Sequence, residues 1–388
     1  MKGIKVMSEE ALAKVEQIYQ NRSNRVKELK SEGKKIIGYF YGLTPVEIIT
    51  AADLVPYRIT GRIKETVSEA DAYLEAIACP FTRNCLGLAL QGEYDFLDGF
   101  VMPHNCDNSV KLYDIWKHNI KPAYAHFINI PHTRSQPAHE FFLAELMTLK
   151  RSIEKFIGRE ITEERLSEAI KLHNENRALI RQMYELRKED PPLVLGSEVM
   201  KIISCILSLP VEESNKLLRQ AIQEVKERKA DPKKKLARLL IYGSELDSAD
   251  FIEMVEANGA DVVMDDLCFG YRSFAADVET TGNPLKNITD RYLDKLPYPR
   301  FYVDRVGTRQ EDLEARFGYL QSYAEDFNVN GVVIQLIIYC DPYAFDLPDI
   351  KEFLIGAGLP VLAIEHDYTL MSIQRLKTQV QAFLEMIA

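Results

Sequence analysis

The segment GVVIQLIIYCD, residues 331–341, is an apolar run that ends in a cysteine and an aspartate. Residues 97–107, LDGFVMPHNCD, repeat this arrangement earlier in the chain. A short apolar run bounded by polar and turn-forming residues is typical of a strand buried in a parallel sheet. The two segments therefore predict one such strand in each half of the chain, with a Cys-Asp pair at its carboxyl end.

Strand-like and helix-like segments alternate on both sides of these runs. The predicted strands cover 35–41, 54–59, 97–102, 123–130, 238–242, 261–264, 301–304, 331–339 and 360–364. The predicted helices cover 8–31, 70–78, 80–90, 108–118, 248–258, 309–327, 348–356 and 372–387, and a further helix begins at Pro45 with Thr44 as its N-cap. Such alternation indicates an α/β fold with parallel sheets.

The middle of the chain differs from its two ends. Residues 139–229 show helical periodicity and no strand signal, and prolines at 191, 192 and 210 interrupt it. The basic run 226–238, which breaks at Asp231-Pro232, is typical of a solvated linker. We therefore predict two doubly wound, flavodoxin- or Rossmann-like domains over 1–135 and 233–388, separated by a helical segment and linker over 136–232.

Composition narrows the functional classes. The 388 residues are 46% hydrophobic and 27% charged, an ordinary globular mixture that excludes a disordered, collagenous or rod-like chain. Lys and Arg number 48 against 58 Asp and Glu, and a net charge of −10 argues against a nucleic-acid partner. No apolar run reaches the ~18 residues of a membrane span, and the first ten residues lack a signal-peptide core. We expect a cytoplasmic protein that binds neither membrane nor nucleic acid.

Six cysteines and no C-x-x-C pair are present, so a metal site would have to be assembled from distant segments. Cys106 and Cys340 each follow a predicted strand, and Cys79 precedes Pro80 at a predicted helix start. Ligands of open α/β sheets bind beyond the carboxyl ends of strands, and helix starts favour negative charge. A thiolate-bound iron–sulfur cluster is anionic, so these three positions suit one.

The competing interpretation is that the cysteines pack in the core, as most free cysteines do. Cys205, inside an apolar helix, fits core packing well. Cys85, within the helix that begins at Pro80, is assigned to packing, with a place near the site as the alternative. Cys268 follows Asp265-Asp266 at a strand end and stays undecided. The chain has neither a G-x-x-x-x-G-K-[ST] nor a G-x-G-x-x-G motif, so ATP hydrolysis would need another protein and no nicotinamide or flavin site of that kind is indicated.

Several short motifs, in this order, resemble those of the 2-hydroxyacyl-CoA dehydratase and benzoyl-CoA reductase family. They are Thr44-Pro45-x-Glu47 with Ala51-Ala52, Cys79-Pro80-x-x-Arg83, Tyr94-Asp95-Phe96-Leu97-Asp98-Gly99 leading to Cys106-Asp107, Asp265-Asp266-x-Cys268-x-Gly270-x-Arg272, Cys340-Asp341-Pro342 and the terminal Gln381-Ala382-Phe383-Leu384-Glu385. The resemblance runs from about Ile36 to the end of the sequence.

The resemblance implies a [4Fe-4S] cluster held by Cys79, Cys106 and Cys340, with one iron open to substrate. It also implies a related iron–sulfur subunit as partner in a homo- or heterodimer, and a separate ATP-hydrolysing iron–sulfur activator. The substrate would be an acyl-CoA thioester reduced by one electron to a ketyl radical. A 2-hydroxyacyl-CoA would then lose its hydroxyl group to give an enoyl-CoA, and benzoyl-CoA would become a dienoyl-CoA.

The family places a functional glutamate at Glu47, which becomes the candidate for proton transfer; the alternative is a glutamate that only complements the helix dipole. His104 is a candidate hydrogen-bond donor to the cluster or an ordinary loop residue. Arg272 is a candidate for binding a CoA phosphate or for pairing with Asp265 or Asp266.

The branch of the family stays open. Only 26 residues, 80–105, separate the first two candidate ligands, which favours the benzoyl-CoA reductase type. The alternatives are a subunit of an (R)-2-hydroxyacyl-CoA dehydratase proper, a double-cubane redox protein that uses no CoA ester, and a structural partner without a cluster.

Overall fold

A computed structural model describes residues 10–65, 68–229, 235–302 and 307–388. Eight strands in these ranges form two sheets of four parallel strands each. The first sheet has the order β2-β1-β3-β4, and its strands are β1 Ile36–Tyr39, β2 Val55–Arg58, β3 Gly99–Pro103 and β4 Tyr124–Ile128. The second has the order β6-β5-β7-β8, with β5 Ala237–Gly243, β6 Ala260–Asp266, β7 Gly331–Ile337 and β8 Val361–His366.

The two sheets thus repeat one strand order, and helices flank both, which confirms the predicted α/β fold with two doubly wound sheets. Every residue of β5, β6 and β7 is buried, because helices cover both faces of a parallel sheet. The helices of the first half are α1 Glu10–Gln20, α2 Asn24–Ser31, α3 Val46–Ala51, α4 Pro80–Leu90 and α5 Asp107–Ile120. Those of the second half are α10 Asp250–Ala257, α11 Pro284–Asp290, α12 Arg309–Asp326, α13 Asp341–Gly356 and α14 Leu370–Ile387.

The middle of the chain is helical, as predicted, and comprises α6 Gln136–Ile157, α7 Glu163–Glu185, α8 Gly196–Ile206 and α9 Val211–Glu227. These helices pack on both halves: α6 contacts β4 and α11, α7 contacts α3, and α8 contacts β6 and α10. One hydrophobic cluster runs from α1 through α8 and α9 into both sheets. The middle helices therefore bury apolar surface that neither sheet would cover alone, and the predicted domain boundaries stay a prediction.

Several local predictions were wrong. The predicted helix over 8–31 is two helices, α1 and α2, separated by a turn at 21–23. Residues 70–78 contain only a 3₁₀ turn, Glu69–Ala72, and Cys79 then adopts an extended backbone with ψ of 122° because Pro80 follows it. Thr44 does not cap α3, since its hydroxyl donates to the carbonyl of Phe40 instead.

The helix predicted over 348–356 begins earlier, at Asp341 directly after Cys340, and carries Pro348 in its interior. The 3₁₀ turn Tyr271–Phe274, helix α11 and the π-helical turn Arg291–Lys295 were not predicted. These elements lie between β6 and α12, where the sequence pattern has no clear period.

Three predictions fall wholly or partly outside the described residues: the absence of a signal in the first residues, the break at Asp231-Pro232, and the end of the strand predicted over 301–304. Of that strand, Tyr302 forms an isolated parallel bridge with Thr133. No helix in the described ranges has the length and apolar character needed to cross a bilayer.

Candidate functional site

Cys79, Cys106 and Cys340 each stand immediately before a helix, at the N-termini of α4, α5 and α13. Cys106 lies beyond the carboxyl end of β3 and Cys340 beyond that of β7, so the two sheets contribute to one set of thiols. Proline in the first turn of α4 and of α13 presets the backbone of these helix starts. We call these three side chains the thiol site.

The thiols of the thiol site interact with one another although they are far apart in sequence. Burial raises the pKa of Cys340 well above its usual value, and the charges of Cys79 and Cys106 raise this pKa further. Burial also raises the pKa of Cys79 to about 12, against the effect of first-turn backbone N–H groups, and Cys106 adds to the increase. Electrostatic coupling of this kind requires proximity. The three buried or half-buried cysteines are therefore within range of one another's charge.

The sulfur atoms are not arranged around a single ion. Among the described residues, the one trio of potential metal-ligating atoms within 4.8 Å of each other is at His139 on α6, Asp290 at the end of α11 and Asp294 in the π-helical turn that follows. Tetrahedral zinc holds its thiolates at about 2.3 Å, which would bring the sulfurs closer together than this limit. The spacing of the thiol site is thus too wide for a mononuclear centre.

The other three cysteines have protein partners. The Cys205 Sγ atom lies 3.0 Å from the carbonyl oxygen of Val15 in a fully buried contact between α8 and α1. Cys85 is fully buried inside α4. The Cys268 Sγ atom lies 3.5 Å from the Tyr343 hydroxyl, in the first turn of α13. Packing thus accounts for Cys85 and Cys205, whereas Cys268 lies next to the thiol site.

Arg272 is committed to a buried ion pair. Its Nε and Nη2 atoms donate to the two carboxylate oxygens of Asp266 over 2.9 and 2.7 Å, and both side chains are almost completely buried. The sequence left two alternatives for Arg272, a CoA phosphate or a neighbouring aspartate. The structure shows pairing with Asp266. The His104 ring packs edge-on against His132, with ring centroids 5.4 Å apart.

Glu47 lies in the first turn of α3 with no exposed surface. Its Oε1 atom accepts a hydrogen bond from Arg177 over 2.8 Å, and its Oε2 atom accepts one from the Tyr292 hydroxyl over 3.2 Å. Burial alone would raise the pKa of Glu47, but Arg177, then His173 and Arg291, lower this pKa to about 2. Glu47 is therefore an ionised carboxylate held by a cation from α7, rather than a group that only complements its own helix.

A small cavity of about 70 Å³ lies beside this ion pair, lined among others by Tyr39, Tyr41, Arg58, His173, Arg177 and Tyr292. This volume accommodates on the order of five water molecules. Sites for ligands of drug size measure ~300–1,000 Å³, so an acyl-CoA would need additional space.

Two features of the site escaped the sequence analysis. Arg58, the last residue of β2, donates to Glu245 over 2.6 Å, and this fully buried pair joins the carboxyl edges of the two sheets. Glu245 is also the carboxylate that raises the pKa of Cys79, after burial and Cys106. The position of Glu245 just after a strand is the same signal that identified Cys106. Arg300, beside the thiol site, follows no strand, and its sequence context carried no signal.

The fold is that of an α/β protein in which Cys106 and Cys340 follow strands of two different parallel sheets. The chain belongs to the family described as 2-hydroxyglutaryl-CoA dehydratase, D-component, whose sequence model matches residues 42–387. This match confirms the predicted family and the prediction that the chain belongs to an enzyme of the dehydratase and reductase type.

Curated relatives match along nearly their whole length. A benzoyl-CoA reductase subunit of Thauera aromatica is 27% identical over 358 residues, which cover 91% of each chain. The (R)-phenyllactyl-CoA dehydratase beta subunit of Clostridium sporogenes is 24% identical and covers 93% of this chain and 94% of its own. The (R)-2-hydroxyglutaryl-CoA dehydratase subunit beta of Acidaminococcus fermentans is 25% identical, with coverages of 92% and 93%.

Proposed function

We propose that this chain is the [4Fe-4S]-binding subunit of an enzyme that reduces or dehydrates an acyl-CoA thioester, with Cys79, Cys106 and Cys340 as cluster ligands. The observation that carries the proposal is the position of the three cysteines at helix N-termini, two of them just beyond strands of different sheets, in a chain of this family. The lean towards a benzoyl-CoA reductase-like enzyme rests on the short spacing of the first two ligands and on the likeness to the Thauera aromatica reductase. A 2-hydroxyacyl-CoA dehydratase is the second candidate, because other relatives carry that name.

The residues of the thiol site fit such a cluster. Each cysteine of a cluster binds its own iron, so the sulfurs lie further apart than around one ion, in agreement with the wide spacing of this trio. Thiols must lose their protons to bind iron, and the raised pKa values measure how unfavourable the thiolates are until a metal compensates their charge. The backbone N–H groups of three helix starts face the resulting anion.

When bound, the cluster would supply one-electron reduction of the thioester carbonyl at an iron without a cysteine ligand. The chain itself would supply proton transfer, and the proposal keeps Glu47 as the candidate for this role. At neutral pH a group with a pKa of about 2 is a carboxylate, so Glu47 would accept a proton rather than donate one. Its basicity would increase once Arg177 moved away, because that cation is what lowers its pKa.

The proposal includes two partners. The relatives are named as subunits, which supports a second, related iron–sulfur subunit in a dimer. The sequence has no phosphate-binding Walker motif, so the ATP-hydrolysing iron–sulfur activator would be a separate protein. The acyl-CoA would bind at a place from which its thioester reaches the thiol site, next to the second subunit.

Iron and sulfide analysis of the anaerobically reconstituted chain tests the cluster. We expect about four irons per chain and a brown chromophore for a [4Fe-4S] centre. Cys79→Ser, Cys106→Ser and Cys340→Ser should each lose the chromophore and most of the iron. Cys205→Ser is the matched control, since Cys205 is buried against the Val15 carbonyl between α8 and α1, and this variant should keep both.

Two outcomes would contradict the proposal: a reconstituted chain that binds no iron, or a Cys340→Ser variant with full iron content. The branch is resolved by anaerobic incubation of the complex, with its activator, with benzoyl-CoA and with a 2-hydroxyacyl-CoA. Formation of a dienoyl-CoA supports the reductase, and formation of an enoyl-CoA supports the dehydratase.

A further inference from the structure

Arg300 is held between the two cysteine-bearing segments that come from different sheets. Its guanidinium lies over the ring of Tyr343, 4.6 Å from the centroid, and over the ring of Tyr298, 4.7 Å from the centroid. Tyr343 is in the first turn of α13, three residues after Cys340. Tyr298 accepts a hydrogen bond from Arg300, and its hydroxyl donates to the side chain of Asn105, the neighbour of Cys106, over 2.7 Å.

Among the described residues, this cation is not matched by an ion-paired carboxylate. In the described part of the chain, Arg300 forms no ion pair with a carboxylate, although Arg309 and Arg316 further along α12 each pair with acidic residues. The Asp346 carboxylate accepts from Arg316 over 2.7 Å, and Arg300 acts on it at longer range, since burial raises the pKa of Asp346 against the charges of Arg316 and Arg300. The segments on either side of Arg300 carry Cys106 and Cys340, through the contact of Tyr298 with Asn105 and that of the guanidinium with Tyr343.

A half-buried guanidinium that lies over two aromatic rings, with no ion-paired carboxylate among the described residues, indicates that a further anion belongs beside it. The geometry points to Arg300 as the positioning residue that balances the charge of the iron–sulfur cluster and makes its one-electron reduction more favourable. This inference rests on the proposed function. The electron comes from a one-electron reductant, enters the cluster, and adds one negative charge next to the guanidinium, while no bond of the protein is made or broken. Net charge near a cluster is among the factors that set its potential.

The test is a reductive titration of the reconstituted chain with titanium(III) citrate, followed by visible absorbance and electron paramagnetic resonance. Arg300→Gln should keep its iron and sulfide but reduce less readily, with an equilibrium constant for reduction lower by on the order of tenfold. For one electron this corresponds to about 59 mV. Arg300→Lys retains the charge without the planar stacking surface, so its equilibrium constant should lie between those of the other two proteins.

Arg309→Gln is the control, because it removes the same charge from an exposed pair on α12 and should leave the titration unchanged. Wild-type behaviour of both Arg300→Gln and Arg300→Lys, at full iron content, would overturn the inference while the cluster proposal stands. Failure of the unchanged chain to bind iron would instead overturn the proposed function. If Arg300→Gln does not fold, the comparison of Arg300→Lys with Arg309→Gln decides, and a titration identical to that of the control contradicts the inference.

Discussion

The Glu47 ion pair and the thiol site are two regions with buried acidic groups at the carboxyl edges of the sheets. The pKa values of their acidic groups shift in opposite directions. Glu47 is completely buried, yet the cation of Arg177 brings its pKa down to about 2. Cys79 is also buried, lacks such a cation, and its pKa rises to about 12. Burial disfavours the charged form in both regions, and the presence of a matched cation decides which form prevails.

This difference separates acidic groups whose charge is balanced within the folded chain from acidic groups whose charge is not. Glu47–Arg177, Arg58–Glu245 and Asp266–Arg272 are buried pairs whose charges are already balanced. None of the three cysteines of the thiol site has a hydrogen-bonded cation among the described residues, and in the proposed function iron would compensate the charge of their thiolates. A bound cofactor is expected where folding buries acidic groups without matching cations.

Of the proposed changes, removal of the Arg177 cation should lower the free energy of unfolding most. Arg177→Met leaves a completely buried carboxylate without its partner, and such changes cost about 3–5 kcal/mol of unfolding free energy. Urea unfolding at pH 7 measures the loss. The double variant Glu47→Gln/Arg177→Met should recover part of it, since no unpaired charge then remains. A double variant no more stable than Arg177→Met would contradict the charge-balance explanation.

The pH dependence of stability sharpens the same point. The folded pKa of Glu47, about 2, is below its unfolded value of 4.5, so its contribution to stability is complete above pH 4.5 and is lost as the pH falls towards 2. The difference corresponds to roughly 3 kcal/mol. Glu47→Gln should therefore lose stability relative to the unchanged chain at pH 7, and the gap should narrow by pH 3. Urea unfolding of both proteins at each pH measures the gap, and an equal gap at both values would refute the low pKa.

In the thiol site, unlike at Glu47, burial should keep the acidic group protonated. In the metal-free chain at pH 8, alkylation of Cys79 by iodoacetamide should be slower than in the unfolded chain by on the order of 10²-fold, because few thiolates are present and their higher nucleophilicity compensates only partly. Mass spectrometry of the labelled peptides gives the rate. It should rise about tenfold per pH unit from pH 8 to 10. A plateau above pH 9 would indicate steric protection of a thiol with an ordinary pKa.

Much of the fold could be predicted from the sequence. Apolar runs such as 331–339 and their alternation with helical segments predicted all eight strands of the two sheets, because a strand covered on both faces must be apolar throughout. The helix starts at Pro80 and Asp107 were predicted to within one residue. The 3₁₀ and π-helical turns after β6 were missed, since short turns leave no period in the sequence.

The candidate site was predictable only in part. Strand ends and a helix start identified Cys79, Cys106 and Cys340, because the carboxyl edge of a sheet follows from strand direction alone. The Thr44-Pro45 signal located the helix that carries Glu47, although Thr44 itself bonds to Phe40. The partner of Glu47 was not foreseen, because Arg177 is 130 residues away, on one of several similarly charged turns of α7.

By itself, the sequence determined which segments become strands and helices and which cysteines follow them, because hydrophobic period and proline position act over a few residues. The tertiary structure decided which charges are balanced. Packing of the two sheets and the middle helices places Arg177 beside Glu47 and Arg300 between Tyr298 and Tyr343. Coulomb interactions depend on distance through space, and that distance exists only once the distant parts of the chain have folded together.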